Sequence, residues 1–247
     1  MYLTYRTPGG EYSPLYRDMG QQTHLLIAGC TGSGKSCVIN GIMHDLILHS
    51  PLINRFILID LKKVELQAYE SLPHTLVYAD TASDAVNALK QAIQITELRF
   101  ADMKRRRIKV YDGCHVYVII DEMADLLTTV KLDAVPLIQR LCQIGRAAKV
   151  HVIGATQHIP TIPTAIRCNF DARVALRTEN KSDSRNIIGI SGCEQFPNPI
   201  FEHKSIGVYK RSGTMDVYNM PLIPESEINR VVHHWTTTKP KKHLFRH

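Results

Sequence analysis

Gly29-Cys30-Thr31-Gly32-Ser33-Gly34-Lys35-Ser36 decides the reading of this chain. The octapeptide fits G-x-x-x-x-G-K-[ST] and follows the apolar run His24-Leu25-Leu26-Ile27-Ala28. A strand that ends in a glycine-rich turn and opens a helix presents successive backbone N–H groups to a phosphate chain. The helix N-terminus adds partial positive charge behind them. Gly29, Thr31, Gly32, Ser33, Gly34, Lys35, Ser36 and Cys37 are therefore the expected nucleotide-binding residues. Lys35 is expected to reach the β- and γ-phosphates and the Ser36 hydroxyl to help hold Mg²⁺. The pattern points to a nucleoside triphosphate, with ATP and Mg²⁺ as cofactors.

Outward from this loop, strand and helix patterns alternate. Strands are expected at 24–28, 55–60, 75–78, 116–120, 150–155 and 172–176, and helices at 36–49, 81–107, 134–148 and 182–188. In the long helix Thr81 or Ser83 is the expected N-cap, with Ala85, Leu89, Ile93 and Leu98 on one apolar face. Val116-Tyr117-Val118-Ile119-Ile120 suits a strand buried on both faces. Alternation of this kind implies an α/β fold, a mostly parallel sheet covered by helices on both faces. A hairpin over 205–219 and a helix from Pro224 close the pattern. Residues 1–22 read as an extended lead-in, 23–238 as the single functional domain, and 239–247 as a basic tail.

Composition narrows the classes. A 247-residue chain with 44% hydrophobic residues fits one full-core α/β domain. No apolar run approaches the ~20 residues of a membrane span, and the first residues lack a secretory core. Six widely spaced cysteines read as reduced thiols rather than a disulfide framework or zinc site, so a cytoplasmic setting is expected. The net charge of +7 is compatible with a polyanionic partner.

Two further strand ends carry chemistry. Ile119-Ile120-Asp121-Glu122 supplies an acceptor for the Mg²⁺ shell, Asp121, and a carboxylate placed to polarise an attacking water, Glu122. Val150 to Gln157 is a strand ending in polar residues, and strand carboxyl ends line the ligand crevice of an open α/β sheet. Gln157 is placed to contact the γ-phosphate or the attacking water.

The order of these blocks resembles the FtsK/SpoIIIE DNA translocases. It comprises the phosphate loop, Ile59-Asp60-Leu61-Lys62, Ile120 to Leu126, Gly145-Arg146-Ala147-Ala148, Ala155-Thr156-Gln157, Lys181 to Arg185 and Ser191 to Glu194. The resemblance spans roughly residues 22–220. It implies a RecA-like P-loop NTPase that assembles as a homohexamer and pumps double-stranded DNA through its channel by ATP hydrolysis. Lys35, Ser36, Asp121, Glu122 and Gln157 match the family's nucleotide-site positions. A ring motor also needs a positive charge donated across the subunit interface, for which Arg146, Arg185 and Arg99 are the candidates. The chain departs from the family pattern at His158-Ile159-Pro160 and at Phe196-Pro197-Asn198-Pro199.

For DNA, the basic run Lys104 to Lys109, with Arg105, Arg106 and Arg107, offers phosphate contacts, as do Thr161 and Arg167 beyond the Gln157 strand. Nothing resembles a base-reading helix, so sequence-independent binding is expected. The resemblance also leaves open a conjugative motor for single-stranded DNA, a protein-secretion ATPase or a non-motor adaptor. The resemblance implies a stripped motor of the sort found on a plasmid, conjugative element or phage, with recruitment by a membrane or DNA-processing partner.

Overall fold

The structure, a computed structural model, describes residues 2–6, 12–16, 23–49, 54–197, 204–221 and 223–237. In chain order the elements are β1 (Tyr2–Arg6), β2 (Tyr12–Tyr16), β3 (His24–Ala28), α1 (Lys35–His49), β4 (Asn54–Ile59), β5 (Thr75–Ala79), α2 (Ala82–Arg106), β6 (His115–Ile120), α3 (Met123–Thr129), α4 (Lys131–Ile144), β7 (Val150–Thr156), α5 (Thr164–Arg167), β8 (Ala172–Ala175), α6 (Lys181–Ile188), β9 (Lys204–Arg211), β10 (Thr214–Pro221) and α7 (Glu225–Thr237). The basic tail 239–247 lies outside the described residues.

Ten strands form one sheet in the order β2-β1-β10-β9-β8-β3-β7-β6-β4-β5. From β8 to β5 the neighbours run parallel, and from β8 to β2 they run antiparallel. The mostly parallel α/β sheet read from the sequence is thus present, with a longer antiparallel wing. The stretch read as an extended lead-in supplies β1 and β2, and Thr4 of β1 pairs with Asn219 of β10.

Strand alternation divides the core. Leu26, Val118, Ile120 and Val152 pack with Ala85, Leu89, Leu126 and Ile138 of α2, α3 and α4 on one face. Leu25, Ile27, Tyr117, Ile119 and Ile153 pack with Val38, Ile42 and Val231 of α1 and α7 on the other. Every residue of β3 and β7 is buried, as a strand covered on both faces requires.

Two local expectations change and one is narrowed. Leu98 is 64% exposed; the inward stripe of α2 runs through Ala85, Leu89, Ala92, Thr96, Arg99 and Met103, a 3.6-residue period that leaves Leu98 on the outer face. Thr81 is the N-cap, its hydroxyl oxygen accepting from the Asp84 N–H at 3.2 Å. The helix expected at 134–148 starts at Lys131 and ends at Ile144, because the chain reverses there: Val150 N–H donates to Gly145 C=O and Lys149 adopts φ 53°. Preceding it, α3 is a separate helix not expected from the sequence.

Candidate functional site

The phosphate loop leaves β3 at its carboxyl end and is clamped by the strands on either side. Gly29 N–H donates to Thr156 C=O at 3.3 Å and Cys30 N–H to Arg177 C=O at 2.8 Å. Gly32 and Gly34 sit at φ 72° and 93°, a conformation a Cβ makes costly, which explains the glycines at those two positions. The first-turn N–H groups of α1 have no intrahelical acceptor and remain for a ligand. Lys35 is buried and folds back, its Nζ donating to Gly29 C=O at 2.9 Å and Cys30 C=O at 3.1 Å. Burial pulls its pKa below the ordinary lysine value, against the pull of Glu122, Cys30 and Asp121. Ser36 and Cys37 follow, half-buried, in the first turn of α1.

The second half of the site comes from the ends of β6 and β7. Glu122 is 7% exposed and caps α3. Its Oε1 accepts from Ala124 N–H at 3.2 Å and from Gln157 N–H at 3.1 Å, and its Oε2 lies 3.0 Å from the same Gln157 N. The Gln157 side chain then reaches the phosphate loop, its Oε1 accepting from Thr31 Oγ1 at 2.7 Å. Glu122, Gln157 and Thr31 form one chain of contacts from the Glu122 carboxylate to the phosphate loop.

Asp121 follows β6 directly. Burial, and then the charges of Asp60, Glu65 and Glu122 against the opposing Lys62, push its pKa up to about 7. Lys62, between these acids and α3, bridges to Asp125 at 3.1 Å. Asp60, quoted above only as part of a family block, is fully buried at the end of β4. Its place next to Asp121 follows from the register, Ile59 beside Ile120. A strand-ending aspartate was visible in the sequence; its burial was not.

Around an ATP-bound Mg²⁺ the residues fit in kind. Ser36 and Asp121 are hard oxygen donors, the glycine loop leaves N–H groups free for phosphate, and a buried oxygen of Asp60 lacks any partner among the described residues. No group of three or more His, Cys, Asp or Glu closes into a metal site among the described residues, which suits an ion that keeps several waters and phosphate oxygens.

The other predicted residues lie elsewhere. Arg99 is excluded as a donor across an interface. It is 7% exposed and donates to Ala148 C=O at 2.7 Å and Lys149 C=O at 3.3 Å. It also reaches Cys114 Sγ at 3.4 Å and lies 4.5 Å over the Tyr111 ring. It is a strut joining α2 to the start of β7, set there by the inward stripe of α2. Arg146 is exposed in the turn before β7, at the opposite end of the strand from Gln157, and Arg185 is exposed on α6. Arg105 and Arg106 are tied down at the end of α2, Arg105 to Asp102 at 2.5 Å and Arg106 to Asp102 at 3.2 Å and to Asp112. Arg107 is exposed at the left-handed C-cap, φ 56°. Thr161 and Arg167 are half-buried beyond β7, Arg167 Nη2 donating to Thr164 Oγ1 at 3.0 Å. Phosphate-loop, Asp121, Glu122 and Gln157 residues are thus brought together, while the basic candidates are dispersed. Among the described residues no helix is long and apolar enough to cross a membrane.

A central parallel strand feeding a phosphate loop, with an Asp-Glu pair two strands away and a polar strand end between, defines a P-loop ATPase fold. The chain belongs to the FtsK/SpoIIIE family, whose model matches residues 5–117. It is 32% identical to the DNA translocase FtsK of Rickettsia typhi over 91% of this chain and 36% of that one. The chain spans about a third of the length of that curated relative. Among solved structures it resembles the cytoplasmic domain of the Thermomonospora curvata type VII secretion ATPase EccC, with TM-score 0.78, 19% identity, 99% of this chain and 32% of that one. It also resembles the pCW3 conjugation coupling protein TcpA, with TM-score 0.76, 17% identity, 94% of this chain and 70% of that one.

Proposed function

We propose that this chain is an ATP-hydrolysing motor that moves double-stranded DNA through a homohexameric ring without reading its sequence. The observation that carries the reading is the seat of Glu122: a buried carboxylate oriented by two backbone N–H groups and linked through Gln157 to the phosphate loop. The names of the relatives, DNA translocase FtsK, supply the cargo.

In this reading Lys35 exchanges two neutral carbonyl acceptors for the β- and γ-phosphates, a charge-assisted interaction of greater strength. Ser36 and Asp121 would hold Mg²⁺, which would supply positive charge against that developing on the transferred phosphoryl group. Glu122 takes a proton from the attacking water. Gln157, tied through its backbone to the base and through its side chain to Thr31, couples the state of the phosphate loop to the segment 158–167 that follows it. Thr161 and Arg167 in that segment, and Arg107 with its neighbours, contact DNA phosphates. Arg146 and Arg185, both exposed, are the candidates to reach a neighbouring subunit's nucleotide.

A second reading, a coupling motor for single-stranded DNA or a secretion ATPase, is favoured by the fold shared with TcpA and EccC. ATPase rate measured with duplex, with single strand and without DNA separates the two, with light scattering recording particle size. Duplex stimulation and a ring-sized particle are expected. A rate indifferent to DNA removes the translocase reading, and stimulation by single strand alone establishes the second.

A further inference from the structure

Asp60 is not explained by the roles assigned so far. It is 0% exposed. One carboxylate oxygen is used within its own loop: Oδ2 accepts from Val64 N–H at 3.0 Å and from Leu66 N–H at 2.9 Å. The other, Oδ1, is buried and makes no hydrogen bond to any described residue. A buried acceptor without a partner is costly, so a carboxylate oxygen kept in this condition is unfavourable unless something else completes it.

Its position says what that is. Ile59 and Ile120 are register partners and both face the α2–α4 core. The next residue on each strand, Asp60 and Asp121, therefore turns to the opposite side of the sheet, where α1 carries Ser36. After burial, Asp60 is the foremost charge acting on Asp121. The loop that Asp60 anchors also folds against α1, where Tyr69 donates to Asn40 Oδ1 at 2.9 Å. Asp60 thus sits beside the acceptor expected to hold Mg²⁺, on the side from which α1 approaches.

We infer that Asp60 is a positioning residue that orders the water shell of the nucleotide-bound Mg²⁺, its Oδ1 accepting hydrogen bonds from metal-bound water. This rests on the Mg²⁺–ATP reading of the site above. Contact through water, rather than direct ligation, follows from the reluctance of Mg²⁺ to shed its waters. The Tyr78 hydroxyl is a second buried oxygen without a hydrogen-bond partner among the described residues and lies under the charge of Asp60, so it serves as the control.

The test is an Mg²⁺ titration of binding of a fluorescent ATP analogue, without reference to turnover. Asp60→Asn keeps an oxygen for the Val64 and Leu66 N–H groups and places a donor where the free acceptor was. It is expected to raise the Mg²⁺ concentration for half-maximal binding about tenfold or more, with affinity in EDTA unchanged. Tyr78→Phe is expected to leave the midpoint in place. An unchanged midpoint in folded D60N, or an equal shift in Y78F, overturns the inference. Should D60N lack a melting transition, Asp60→Glu replaces it: a displaced carboxylate shifts the midpoint upward if the inference holds, and an unmoved midpoint overturns it. Wild-type binding that ignores Mg²⁺ altogether overturns the parent reading of the site instead.

Discussion

Replacing Glu122 by Gln separates chemistry from architecture. In the folded protein the carboxylate accepts from Ala124 N–H and Gln157 N–H, with Oε1 receiving both at 3.1–3.2 Å. A glutamine amide oxygen in the Oε1 position keeps those two bonds and forfeits the 3.0 Å contact to Oε2, about 0.5–1.5 kcal/mol. Losing negative charge at the N-terminus of α3 costs a further ~0.3–1 kcal/mol. Relief of repulsion with Asp121 works in the other direction. The net falls near 1 kcal/mol, a change in Tm within about 4 °C for a chain of this size. Removal of a general base, by contrast, lowers turnover about 10²–10⁴-fold, roughly 2.7–5.5 kcal/mol of barrier. Single-turnover hydrolysis with saturating Mg²⁺–ATP, alongside equilibrium binding of the same nucleotide, measures both. Slow hydrolysis with retained binding and an intact melting transition is expected. Hydrolysis within about threefold of wild type in that folded, nucleotide-bound variant refutes the assignment of Glu122 as base.

Two further perturbations test other parts of the site and scaffold. Arg99→Ala strands two backbone carbonyls and removes the guanidinium over Tyr111; a loss of about 3 kcal/mol, or roughly 6–12 °C in Tm, is expected with ATPase at 25 °C near wild type. Lost ATPase at an unchanged Tm would return Arg99 to the nucleotide chemistry. Asp121, with its pKa raised to about 7, binds a proton in the folded state that the unfolded chain has released above about pH 4. Its contribution to stability therefore falls as pH rises from about 4 to about 7. In metal-free buffer the Tm of the wild type should fall relative to Asp121→Asn across that window, and parallel curves would contradict the raised value.

The parts legible in the sequence were those fixed by local periodicity and local chemistry. Gly29 to Ser36 announces itself because a strand, a turn and a helix must follow one another within a few residues. Val116 to Ile120 announces a doubly buried strand for the same reason. What stayed hidden depends on partners distant in sequence. Tyr2–Arg6 has no strand signature that points to β10, yet Thr4 pairs with Asn219. Arg99 reads as an available cation until the stripe of α2 turns it inward onto Ala148 and Lys149. Asp60 reads as an ordinary strand end, and its importance rests on burial beside Asp121. The contact between Gln157 and Thr31 joins residues 126 positions apart. Only the sheet order, with β7 between β3 and β6, places both beside Glu122.

The pairing of β1 with β10 also bears on how the chain is made. Asn219, the register partner of Thr4, is added to the growing chain 215 positions after it. At synthesis rates of about 5–20 residues per second the gap is roughly 10–40 s. During that interval the β1–β2 hairpin can pair with itself but not with its place in the sheet, and an isolated two-stranded hairpin is marginal in water. The nascent chain therefore carries an unsatisfied strand edge until β10 emerges. A chaperone that shields the β1–β2 hairpin during translation would raise the yield of folded protein without touching the nucleotide site.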